Sequence, residues 1–275
     1  MGRRVAESRV LAIRAEARRV RAIGGTAESA ALDLDALCGR LGVDVVHDDL
    51  EGSRARVMQV SDRPRITVSN RTQDAGAIRF SIAHELGHLL LRHRVAVDGA
   101  PLVERLCRPL SDAGSDLERE ANIWATELLM PAALIQHCCE LPGVTMQHIR
   151  SIARACQTSA LASALRFVEL TPEPCALAYC ELGHVRWSRR SATFSHWIPA
   201  GRAVDPTSAV ADYFTSGTIS EFPRLLPAPA WISRPSGQRS DPQIVEQASI
   251  VRELGAVFAL LWLPPEEIER TSPAA

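Results

Sequence analysis

Phe80 to His93, FSIAHELGHLLLRH, constrains this chain more than any other stretch. It sets His84, Glu85 and His88 in the spacing H-E-x-x-H, and Ile78, Ile82, Leu86 and Leu89 recur around them at helical intervals. Side chains four apart on an α-helix stand on one face about one turn from each other, so the two imidazoles can converge on a single metal ion. Glu85 follows the first of them directly, placed to serve as general base toward a water at the same ion. That is the chemistry of a zinc peptidase, with Zn2+ as cofactor. The motif also arises by chance, and the competing reading is a surface helix whose histidines bind nothing.

A zinc site of this kind needs a third protein ligand. The longer pattern with a histidine six residues after His88 is excluded, because position 94 is Arg and position 91 is Leu. His93 lies five residues from His88, which on a continued helix rotates it off the ligand face, so it reads as a helix-end residue. The next helical segment, Asp116 to Met130, ends at Pro131 and offers a buried arc of Leu117, Ala121, Trp124, Ala125, Leu128 and Leu129. Glu118 falls inside that arc and Glu120 at its edge. A buried carboxylate is costly unless paired or metal-bound, which makes Glu118 the expected third ligand, with Glu120 and Glu127 in reserve. The plainer reading of Glu118 is an ion pair with Arg119 or another neighbouring arginine. Asn122, one turn later, is placed to orient His84 or His88 by a hydrogen bond from behind.

Composition limits what can carry this site. The 275 residues are 46% hydrophobic, enough for a sizeable core and more than one domain. Net charge is −1 and the sequence contains no lysine, so nucleic acid is not the default partner. The seven cysteines, at 38, 107, 138, 139, 156, 175 and 180, form no C-x-x-C pair and read as reduced thiols. The opening MGRRVAESRVLAIRAEARRVRAIGG lacks the apolar run of a signal peptide, and no segment reaches the length of a membrane span, so the expected location is the cytoplasm, without a membrane partner.

In chain order, residues 4 to 23 read as an amphipathic helix stopped at Gly24 and Gly25, its arginines a solvated face. Residues 30 to 41 form a second helix, followed by strands at Val43 to His47, Ala55 to Val60 and Arg65 to Ser69, with Ser61 to Pro64 as a turn. Ile66 to Ser69 is a candidate edge strand for pairing with an extended substrate, or one arm of a purely structural hairpin. Asn70 to Asp74 reads as the entry to the motif helix, with Thr72 as N-cap and Asp74 in the first turn.

In FSIAHELGHLLL and then EREANIWATELLMP, with the strand ITVSN before the first, the sequence resembles the ImmA/IrrE family of metallo-endopeptidases. With the two leading helices the resemblance covers residues 5 to 135. It implies that His84, His88 and Glu118 bind zinc and that Glu85 activates water. It further implies a protein substrate, a helix-turn-helix repressor whose cleavage derepresses stress-response or mobile-element genes.

Beyond Pro131, Met146 to Cys156 and Ala160 to Val168 read as two short helices joined at Gln157 to Ser159, an arrangement that resembles a helix-turn-helix. Arg150, Arg154 and Arg166 are candidates for phosphate contact, although packing or protein docking is the commoner use of such a pair. After Pro172 and Pro174 come strand-like segments at Cys175 to Cys180, His184 to Trp187 and Ala256 to Leu263, and a short helix at Ser208 to Phe214. Trp187, Phe194, Trp197, Trp231 and Trp262 line a pocket or fill a core. Pro223 to Pro242 reads as a loop, and the tail from Pro264 as frayed.

The expected fold class is therefore α+β: a zincin-like minimal metallopeptidase domain over residues 1–140, a helix-turn-helix-like segment over 141–171, and a small sensor-like α+β domain over 172–275. The expected function is a zinc-dependent endopeptidase. The alternative is a non-catalytic transcription regulator or repressor-binding module with a structural or idle zinc site, against which the intact Glu85 argues.

Overall fold

A computed structural model describes residues 5–25, 31–51, 53–60, 62–93, 116–233 and 242–264. The chain forms two compact units, one of Met1–Ile135 with Ile152–Ala162, the other of Gln136–Ser151 with Ser163–Ala275. Both are mixed α and β, so the chain has the α+β class its sequence predicts.

The first unit opens with helix α1 (Glu7–Ile23), which buries Ile13, Ala17 and Val20 on one stripe. Its arginines are not simply solvated, because three of them reach helix α4 (Asp116–Leu129). Arg9 and Arg18 pair with Glu120 and Glu127, and Arg21 donates to the Leu128 carbonyl. Ion pairs that also pin two helices are more than surface decoration, since the partner Glu127 is fully buried.

Helix α2 (Leu34–Arg40), capped by the Asp33 side chain on the Ala36 amide, leads into a three-stranded sheet of β1 (Asp44–Asp48), β2 (Ala55–Val60) and β3 (Arg63–Ser69). The strand order is β1-β3-β2, with β1 parallel and β2 antiparallel to β3. Ile66 to Ser69 is therefore central, bonded on both sides, and cannot take up a substrate strand. Among the described residues, the sheet edge beside the motif helix is β2. Period-two alternation puts Val57 opposite Ile66 and Ala55 opposite Val68, all buried on one face.

Helix α3 (Ala75–Leu90) carries the H-E-x-x-H motif. Its N-cap is Asp74, which accepts from the Ala77 amide, rather than Thr72. A carboxylate at that position satisfies an otherwise orphan amide and also faces the positive end of the helix dipole. Gly76 abuts the turn between helices α6 (Met146–Cys156) and α7 (Ala160–Leu170), where a Cβ would stand 2.2 Å from the Ser159 nitrogen and 2.5 Å from the Thr158 carbonyl carbon. Helix α5 (Ala132–Cys139) links α4 to this pair.

The second unit holds a five-stranded antiparallel sheet ordered β5-β4-β8-β7-β6. Its strands are β4 (Cys175–Glu181), β5 (His184–Arg190), β6 (Arg224–Pro227), β7 (Gln243–Val251) and β8 (Ala256–Trp262). β6 falls inside the stretch expected to be a loop, and β7 in a stretch with no sequence expectation; residues 234–241 and 265–275 lie outside the described residues. Ladder hydrogen bonds to β7 override the proline-rich composition around β6, an edge position where proline is tolerated.

Phe194 and Trp231 fill the core with Val210 of helix α8 (Ala209–Ser216), while Trp197 is exposed and Trp187 stacks on Tyr179. Arg166 is buried and paired with Glu169, so it is not presented to a phosphate, whereas Arg150 is half exposed and pairs with Glu221 at the surface. The six described cysteines are free thiols; Cys107 lies outside the described residues. No helix among the described residues is long and apolar enough to cross a membrane.

Glu246, on β7, is fully buried and accepts from the Val210 amide at 3.1 Å and the Trp231 indole at 3.2 Å. Burial outweighs those bonds and the attraction of Arg224, and pushes the carboxyl up to about 7 from an ordinary 4.5. The folded state thus keeps a proton that the unfolded chain releases. The stability this contributes is whole below pH 4.5 and is lost as pH rises through about 7. Urea unfolding of the full chain should show a midpoint that falls between about pH 5 and about pH 8, and Glu246→Gln should remove that fall. A wild-type midpoint that stays flat over this range would contradict the assignment. In the first unit, Gly76→Ala should lower stability by about 1–3 kcal/mol, because the clash is with backbone that cannot rotate away. Thermal unfolding of the variant checks this, and an unchanged Tm would mean the turn is not packed on α3.

Candidate metal centre

The centre is built where α3 and α4 cross. Gly87, inside HELGH, allows the approach: a Cβ there would lie 3.3 Å from the Cα and carbonyl oxygen of Ala121 and from the Trp124 ring. Ala83 and Leu86 on α3, with Ala121, Trp124, Ala125 and Leu128 on α4, are wholly buried around it. Each large apolar side chain buried this way contributes about 1.5–3 kcal/mol, so the two helices are held firmly in register. Glu118 stands on the first turn of α4 and faces the two histidines.

Nε2 of His84 and Nε2 of His88 are 2.9 Å apart. The Glu118 carboxylate lies 3.2 Å from the first nitrogen and 3.4 Å from the second. Ligand atoms about 2.0–2.1 Å from a tetrahedral ion stand about 3.3–3.4 Å from one another, so this donor set fits a metal such as zinc. Hydrogen bonding to the two imidazoles holds the Glu118 carboxyl well below the usual carboxylate range, which keeps it anionic. Glu118 is 30% exposed, so it is not on a buried arc as the helical wheel implies. Leu117, assigned to the same arc, is 42% exposed, and the buried carboxylate of this helix is Glu127, which is turned toward Arg18.

His84 is 2% exposed, and its Nδ1 lies 2.9 Å from the Asn122 side-chain oxygen. With Nε2 turned to the centre, Nδ1 carries the proton and donates to Asn122, which sets the ring orientation. Glu85 is nearly buried, and one of its oxygens accepts from the Val57 amide of β2 at 3.1 Å. Loss of solvent raises its carboxyl above the ordinary value, opposed by the nearby histidines and by the Val57 bond.

Residues 38–167 match the sequence profile of a peptidase family described as the IrrE N-terminal-like domain. This stretch is similar to the IrrE N-terminal-like domain. Among solved structures, a Mycobacterium tuberculosis transcriptional regulator resembles the chain at 17% identity and a TM-score of 0.57, over 92% of this chain and 76% of that one. At that identity the likeness is one of fold. No curated protein matches the chain significantly.

In this IrrE-like domain the structure brings together all the residues singled out from the sequence, His84, Glu85, His88, Glu118 and Asn122, and adds one that the sequence reading set aside. α3 ends at Leu90, Arg92 takes a left-handed backbone at φ 54, and the His93 amide returns to the His88 carbonyl. A helical wheel no longer applies past that reversal. His93 thereby turns back on the motif, its Nδ1 3.0 Å from Nδ1 of His88, and its Nε2 3.2 Å from Glu120. Burial holds His93 below the ordinary histidine value. Glu120, the reserve ligand, is taken up by His93 and Arg9, and Glu127 by Arg18.

Gly87→Val should push α4 off α3, lowering stability by about 1–3 kcal/mol through overpacking against backbone. Thermal unfolding of the metal-free variant measures this. A variant as stable as wild type would show that the crossing has room to spare.

Proposed function

We propose that the IrrE-like domain is a zinc-dependent endopeptidase. The observation that carries this reading is the convergence of His84, His88 and Glu118 beside Glu85. Among the described residues the donor set has three members, the number used by catalytic zinc sites, which keep one position open. A structural zinc would instead be closed by four protein ligands. Zinc held by these three residues supplies Lewis acidity toward a water and toward the scissile carbonyl.

The protein's own groups do the rest. Glu85 takes a proton from the attacking water and returns it to the departing amine. The Val57 amide fixes one Glu85 oxygen, so the carboxylate is aimed by β2 rather than left to rotate. Asn122 holds His84 in the tautomer that presents Nε2. Among the described residues β2 is the sheet edge alongside this helix, and an extended substrate segment would pair with its positions other than the Glu85-bound Val57 amide, in place of the central Ile66 to Ser69.

The substrate we propose is a helix-turn-helix transcriptional repressor, cut in the cytoplasm to derepress stress-response or mobile-element genes. Support comes from the ImmA/IrrE resemblance of the motif segments, from the similar fold of a Mycobacterium tuberculosis transcriptional regulator, and from free thiols throughout the described residues.

Elemental analysis of the purified chain should find about one zinc per molecule, lost in His84→Ala and in Glu118→Ala. Glu85→Gln should keep the metal while cleavage of a candidate repressor falls by at least about 100-fold. A chain that takes up no zinc ends the metal reading. Unchanged function in Glu85→Gln would move the assignment to a non-catalytic regulator or repressor-binding module.

A further inference from the structure

We infer that Arg9, Glu120 and His93 form a relay that positions His88 for metal binding, so that helix α1, which lies outside residues 38–167, is part of the centre. The inference rests on the metal reading of that centre. An imidazole that presents Nε2 to a metal carries its proton on Nδ1. For His88, among the described residues, the acceptor that proton meets is Nδ1 of His93 at 3.0 Å. His93 must then hold its own proton on Nε2, which faces the Glu120 carboxylate at 3.2 Å. Glu120 in turn receives Nε and Nη2 of Arg9 at 3.0 and 2.5 Å, a two-point grip by a planar guanidinium. Every donor along the line meets an acceptor, and no residue needs an unusual charge.

Solvent shielding makes the line effective. The His93 side chain is 4% exposed and Glu120 12%, so water competes poorly for the inner two bonds. Without Glu120 as acceptor, His93 is as well served by the opposite tautomer, in which its Nδ1 proton opposes that of His88. The two ligand histidines are thus oriented by one helix, His84 directly by Asn122 and His88 by Glu120 acting through His93. His93, Glu120 and Arg9 are positioning residues, none of them a ligand.

The plainer alternative is that Arg9 only staples α1 to α4. Arg18 provides the control, because its pair with Glu127 joins the same two helices without leading to the histidines. Zinc affinity is measured on the full chain by competition with a chromophoric chelator, and the ligand field by visible absorption after loading with cobalt. His93→Ala and Glu120→Ala should weaken zinc binding by about 10- to 100-fold and alter the cobalt bands. Arg9→Ala, at a half-exposed position that does not threaten folding, should weaken it by a smaller factor in the same direction, and Arg18→Ala should leave both readings at wild type. Thermal unfolding of the metal-free variants separates loss of fold from loss of positioning. Wild-type affinity in His93→Ala and Arg9→Ala, or an equal loss in Arg18→Ala, overturns the relay while the metal reading stands. A wild-type chain that binds neither ion overturns both.

Discussion

The crossing of α3 on α4 carries the rest of the first unit. At Gly87 the two backbones come so close that any side chain would meet Ala121 and Trp124. Around that point a dry apolar contact fixes the depth and rotation of α4. Because the contact is close-packed, Glu118 on the first turn is delivered to the two histidines without needing a loop to place it. The chemistry proposed for the centre then requires little more of the protein than to keep Glu85 and the imidazoles from turning, which Val57 and Asn122 do through single hydrogen bonds.

α4 serves two neighbours on opposite sides. Toward α3 it presents Glu118 and Asn122, and toward α1 it presents Glu120 and Glu127, each met by an arginine. A carboxylate in a partly dry interface must find a cation or a metal, and the partner available decides its role. Glu118 meets imidazoles and Glu127 a guanidinium, although the two lie on one helix and are the same residue type. The second unit meets the same constraint differently at Glu246, where among the described residues no cation is bonded to the carboxyl and burial raises its proton affinity instead.

Much of this was legible in the residues. Helix boundaries near α1, α2, α3 and α4, the strands of the first sheet and the buried run of β8 follow from local period and from turn residues. Glu118 was legible for a partly mistaken reason: the wheel buried it with Leu117, whereas both are appreciably exposed and Glu118 is defined by what it faces. His93 was set aside because a wheel assumes the helix continues, and the reversal at Arg92 is not encoded in apolar spacing. β6 escaped notice because it sits in a proline-rich stretch, and β7, QIVEQASIV, because its polar residues blur any period-two pattern; both are held by ladder partners.

By itself the sequence determined what is local: a helix with two imidazoles one turn apart, a carboxylate between them, and a second amphipathic helix rich in acidic residues. These depend on a repeat of 3.6 residues and on side-chain chemistry, both readable without a partner. Only the tertiary structure decided that Glu120 and Glu127, the reserves to Glu118, turn to other partners, that β2 is the sheet edge beside the motif helix among the described residues, and that Arg9 reaches the centre through Glu120 and His93. Those outcomes are set by contacts between residues far apart in the chain, where the packing of one helix on another selects among side chains that local rules treat alike.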